Sequence, residues 1–211
     1  MTPRLLDFWV MTTTGQTALP EILARLDGVL RRHRPEYFEV LAAPVADEAV
    51  RAFEKRFGVS LPGPLATLYR WHDGQSDEGS AGLVGGYFFM SFELLSYQYG
   101  ALPEDAKATP DPGAWWKPSW FPFLDDGEGN LVCLDRDDGT LVFYEHDNAT
   151  RSPVAPDLAS LFSAVTEGFE QRALSNDDDT WQPTGRANEV AWARLCHDRG
   201  VSLAGLEFDM D

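Results

Sequence analysis

The sequence predicts an α+β fold. Amphipathic helical patterns fill the first third of the chain. Short apolar runs joined by glycine–acid turns fill the middle, and a strongly periodic helical pattern follows. At 211 residues and 44% hydrophobic content, the chain can bury one sizeable core.

The first helical pattern covers 18–34. Leu19, Ile22, Leu23, Leu26, Val29 and Leu30 recur at helical spacing, and Pro20 suits a first turn. Arg31, Arg32, His33 and Arg34 follow at its C-terminus, where the helix dipole favours cations. A second helix is expected from Asp47 as N-cap to Gly58 as stop, with Val50, Phe53 and Phe57 inward. Leu61-Pro62 breaks the chain, and Pro64-Leu65 opens a third helix that places Leu65, Leu68 and Tyr69 inward. Asp73-Gly74 is a turn signal after it.

Residues 83–90, LVGGYFFM, have the composition of a buried strand with a weak point at Gly85-Gly86. Ser91 can cap a short helix, FELLSYQY, and the prolines at 103, 110 and 112 predict a loop over 101–114. FPFL predicts a strand. LVCLD and TLVFYE flanking RDDG predict a β-hairpin. Pro156-Asp157 opens a helix whose Leu158, Leu161, Phe162, Val165 and Phe169 turn inward.

The acidic stretch SNDDDT at 175–180 is expected to be a solvated link. The expected organisation is therefore one domain over 1–174, then a link and C-terminal helical extension over 175–211. The helix of that extension, about 186–199, ends at Gly200, and its apolar residues form no single stripe.

The formal charge is −17, from 34 acids against 17 bases. Such a balance repels nucleic-acid phosphates and anionic lipid and attracts a basic partner. No apolar run approaches the roughly 20 residues of a membrane span. The N-terminus lacks the pattern of a signal peptide. Cys133 and Cys196 belong to no metal-type cluster and are expected as buried thiols in a reducing cytoplasm.

The stretch WKPSWFPFLDDGEGNLVCLDRDDG, 116–139, raises the question of a site. Read as a calcium loop from Asp125 or from Asp135, it puts neither glycine sixth nor glutamate twelfth. His33, His72, His146 and His197 are scattered, so no transition-metal set is formed. There is no nucleophile elbow and no phosphate-binding loop, and acids around Gly127 and Gly129 would repel a pyrophosphate. No metal or cofactor is expected. A carboxylate pair for acid–base work stays open among Asp125, Asp126, Glu128 and Asp135, beside the plainer reading of solvated turn residues.

Two ordered patterns resemble the signatures of the SUKH superfamily. The first is carried by Glu54, Gly58, Leu61, Pro62, Leu65, Tyr69, Asp73 and Gly74. The second is carried by Trp116, Pro118, Trp120, Pro122, Asp126, Gly127, Gly129, Asn130 and Asp135. The similarity spans about 46–172. It departs where Arg136-Asp137-Asp138 replace an expected proline, and it says nothing of 181–211. The resemblance implies a largely antiparallel sheet with helices packed mainly on one side, and no general catalytic residues. That family includes fungal cell-wall-synthesis regulators and bacterial immunity proteins that neutralise co-encoded toxins, often nucleases.

The function expected from this resemblance is immunity: stoichiometric binding of a cognate protein toxin with a basic surface, in the cytoplasm. The alternatives are a regulatory or scaffold module of the same fold, and a small enzyme using the acidic turn. The expected partner-binding acids are Asp125, Asp126, Glu128, Asp137 and Asp138 in the two glycine turns. Asp73, Asp77 and Glu78 of the first signature join them.

Overall fold

The computed structural model describes residues 18–76, 82–149, 151–177 and 180–202. Helix α1, Leu19–His33, buries Ile22, Leu23, Leu26, Val29 and Leu30. A short helix α2, Pro35–Val40, follows and was not expected. Arg34, between them, is not a surface cation of a basic tail. It is fully buried, donates to the carbonyls of Leu83 and Gly82 at 2.8 and 2.9 Å, and lies over the Tyr37 ring. Burial pulls its guanidinium down to about 9, so it stays charged at neutral pH.

Helix α3, Asp47–Phe57, starts with Ala46 as the cap, so Asp47 is its first helical residue instead of the N-cap. An acid there still opposes the positive helix end. Gly58 closes α3 in the left-handed region at φ 66°, as the sequence predicts. Helix α4, Gly63–Trp71, buries Leu65, Leu68 and Tyr69.

The expected strand over 83–90 is cut to β1, Phe88–Phe89. Gly85-Gly86 make a tight turn instead, closed by Leu83 N–H to Tyr87 O at 2.7 Å. Helix α5, Phe92–Ala106, runs seven residues beyond the predicted FELLSYQY and carries Pro103 inside it. Proline removes one helical hydrogen bond there. Leu102 before it and Ala106 after it pack into an apolar cluster, which offsets that loss. A one-turn helix α6, Pro112–Trp115, forms at the end of the predicted loop.

Strands β2, Trp120–Asp125, β3, Leu131–Asp135, and β4, Leu141–Tyr144, are joined by the two predicted turns. An unpredicted β5, Arg151–Ala155, completes the antiparallel sheet β1-β2-β3-β4-β5. Pro153 is tolerated because β5 is an edge strand. A register shift between Pro122 and Leu124 puts Phe123 and Leu124 into the same cluster.

The sheet buries both faces. Phe121, Val132, Leu134 and Phe143 join the large core with residues of α1, α3 and α4. Trp120, Leu131, Cys133 and Tyr144 form a smaller cluster on the other face with Trp116 and the end of α5. Helices thus pack mainly on one side.

Helix α7, Leu158–Glu170, is capped by Asp157, whose Oδ1 accepts from Ser160 N–H at 2.7 Å. It packs on α1. In the stretch expected as a solvated link, β6, Ser175–Asp177, pairs antiparallel with β7, Thr180–Gln182. Helix α8, Gly185–Arg199, then lies against α7 and buries Trp192, Leu195 and Cys196 in the same large core. Helix α8 of the expected extension thus shares a core with the elements before residue 174.

Candidate functional site

The described site acids lie at three turns, where Asp73, Asp125, Asp126, Asp135 and Asp138 accept hydrogen bonds. Asp73 Oδ1 accepts the Phe92 N–H at 2.6 Å, and Ser91 Oγ accepts the Leu94 N–H at 3.2 Å. Together they satisfy two of the first N–H groups of α5, which have no partner inside the helix. Gly74 beside it has φ 68°, and a Cβ there would fall 2.5 Å from the backbone of Met90 and Ser91. Asp-Gly is thus a clamp between the end of α4 and the start of α5. Burial raises the Asp73 carboxyl above the usual carboxylate range, and the Phe92 N–H only partly opposes this. Asp77 and Glu78 lie outside the described residues.

In the β2–β3 turn, Asp125 Oδ1 accepts the Gly127 N–H at 2.7 Å. Asp126 Oδ1 accepts the N–H groups of Glu128 and Asn130 at 2.8 and 3.0 Å, and its Oδ2 accepts Asn130 Nδ2 at 2.6 Å. Gly127 and Gly129 supply the positive φ values, 81° and 99°, that this winding requires. Asn130 Oδ1 in turn accepts the His146 N–H at 3.1 Å, tying the turn to the end of β4. Glu128 is exposed at the tip.

In the β3–β4 turn, Asp135 is buried. Its Oδ2 accepts Trp120 Nε1 at 3.0 Å and its Oδ1 accepts the Asp137 N–H at 3.0 Å. Asp138 Oδ1 accepts both the hydroxyl and the N–H of Thr140, at 2.6 and 2.9 Å, and these bonds hold its carboxyl below the usual range. Asp137 is exposed beside Arg136.

The two acidic turns occupy opposite ends of β3, separated by roughly 14 Å of strand at about 3.4 Å per residue. They are not one patch. The turn at Asp125–Asn130 instead neighbours the first signature: a hollow of about 180 Å³ has Gln75, Ser91 and Leu94 on one side and Asp125 and Gly127 on the other. No sequence pattern points to this hollow: Leu94 lies inside the predicted helix FELLSYQY, and only the fold sets that helix beside the β2–β3 turn.

Among the described residues, no group of three or more His, Cys, Asp or Glu is placed to hold a metal ion. His72 is held by the Ala42 carbonyl at 2.8 Å, and His146 by Asn130. Cys133 and Cys196 are free and buried; burial pushes both thiols up, Cys196 to about 12. No described helix is long and apolar enough to cross a membrane.

Residues 44–164, more than half of the chain, match the model of the SMI1 / KNR4 family (SUKH-1). Nothing among the curated proteins matches the chain.

Proposed function

The chain belongs to the SMI1 / KNR4 family (SUKH-1), and we propose that within this family it acts as an immunity protein, binding a cognate protein toxin one to one and blocking it. The family includes toxin immunity proteins.

The observation that carries the reading is the use of the signature acids. Asp126 and Asp135 each have both carboxylate oxygens committed to N–H donors of their own turn or sheet. A general acid or base needs a carboxylate free to exchange a proton with a bound molecule. These acids organise turns, and what the turns offer outward is shape and negative charge.

The partner is then a protein with a basic surface, drawn by the −17 charge of the chain. Asp125 and Glu128 of the β2–β3 turn are the first contact candidates, with Asp73, Asp77 and Glu78 of the neighbouring signature. Asp126 takes part by holding the loop. Asp137 and Asp138 belong to the far end and contribute if the partner spans the sheet. The proposed place of action is the cytoplasm, where two buried thiols stay reduced.

Gene neighbourhood is the source of candidate toxin domains, and co-expression of each candidate with this chain tests the reading. The expected result is a complex of one to one stoichiometry and restored growth. A folded chain that neither binds nor protects overturns it.

A further inference from the structure

A groove follows α5 across the smaller sheet face. Phe92, Leu95 and Tyr99 fix one side of α5 in the large core. Its other side carries Leu94, Gln98, Leu102 and Asp105, spaced at four, four and three residues, so they line one face. The distance from Leu94 to Asp105 is about 16 Å at the helical rise.

Two hollows lie along that face. The first, of about 180 Å³, is bounded by Leu94, Phe88, Met90, Asp125 and Gly127. The second, of about 340 Å³, is bounded by Gln98, Leu102 and Asp105 of α5 and by Trp115, Tyr144 and His146. The β2–β3 turn is the opposite wall of both, through Gly127 in one and Gly129 in the other. Beside the groove, Tyr97 is 65% exposed, one of two large apolar side chains so placed among the described residues. Exposed tyrosine next to apolar pockets is the composition of an interface anchor.

The charge of the groove selects its occupant. Asp105 and Asp125 line the hollows, Glu128 stands on the turn between them, and no lysine or arginine lines either hollow. We infer that this groove receives a basic segment of the partner protein, with aliphatic side chains in the two hollows and lysine or arginine against Asp105, Asp125 and Glu128. This rests on the immunity reading for the identity of the partner, and it names the face and the chemistry that the partner must present.

The probe is a fluorescein-labelled hexapeptide alternating lysine and leucine, about 20 Å long when extended. Its control carries glycine for leucine at equal charge. On the full chain, the lysine–leucine peptide is expected to bind at least about tenfold tighter than the control. Leu102→Arg, and separately Gln98→Arg with Asp105→Lys on the more exposed rim, should abolish that advantage. The second variant keeps the test valid if Leu102→Arg fails to fold.

Equal binding of the two peptides, or wild-type binding by the folded rim variant, overturns the groove. The peptide measurement needs no toxin, so its failure leaves the immunity reading standing. Conversely, failed toxin co-purification with intact peptide binding rejects immunity and keeps the groove.

Discussion

Gly168 of α7 lies directly against the indole of Trp192 on α8: a Cβ on the glycine would fall 2.9 Å from Trp192 Cζ3 and equally close to Leu174 Cδ1. The glycine admits a fully buried tryptophan from a segment beyond the family match. Gly168→Ala should therefore destabilise by about 1–3 kcal/mol through overpacking, against the roughly 1 kcal/mol that alanine gains in an open helix. Gly28 of α1, with nothing within 4 Å of a built Cβ, supplies the control. Gly28→Ala should stabilise by about 0.4–1 kcal/mol. Paired denaturant melts check the opposite signs.

Asp73→Asn and Asp73→Ala should separate charge from capping. Asparagine keeps an oxygen for the Phe92 N–H, and alanine removes it at about 1 kcal/mol. The native Asp73 carboxyl binds its proton more tightly than the unfolded chain does. Its contribution to stability therefore falls as pH rises from the ordinary aspartate value through the raised native one. Asp73→Asn should remove that decline and leave the chain at least as stable at pH 7. Stability curves against pH for the three proteins decide it.

Asp126 and Glu128 are neighbours on one turn with different roles. Asp126→Ala strands three donors in a half-exposed loop and should lose about 1–2 kcal/mol. Glu128→Ala should stay within about 0.5 kcal/mol of the parent. Equal thermal shifts for the two would mean that the turn does not depend on Asp126.

Leu134 on β3 is buried in the large core, so Leu134→Ala should lose about 2–5 kcal/mol. A loss under about 1 kcal/mol in a urea titration would contradict its placement.

What the sequence could reveal followed from local pattern. The spacing of Leu65, Leu68 and Tyr69, the stop at Gly58 and the Asp157 cap are all readable within one or two helical turns. β5 escaped because Arg151-Ser152-Pro153 lacks alternation, and its strand character comes from pairing with β4 at a sheet edge. The burial of Arg34 depends on carbonyls 48 and 49 residues away. The same limit applies to the site. Residue types mark Asp125, Asp126 and Glu128 alike as acids on a turn, and only the fold shows which carboxylate is committed to backbone donors. The α5 groove joins residues from α5, the β2–β3 turn and β4, a juxtaposition that no local spacing encodes.

The central proposal is that a basic protein partner meets the face that holds the β2–β3 turn. Stopped-flow association with a toxin domain that co-purifies with this chain, for the parent and Glu128→Lys with Asp105→Lys, tests this most directly. Asp126 is left intact so that the turn keeps its shape. At low salt the variant should associate at least about tenfold more slowly, and the difference should shrink as salt shortens the screening length to about 8 Å. Equal association rates at low salt, with the fold intact, would contradict the account.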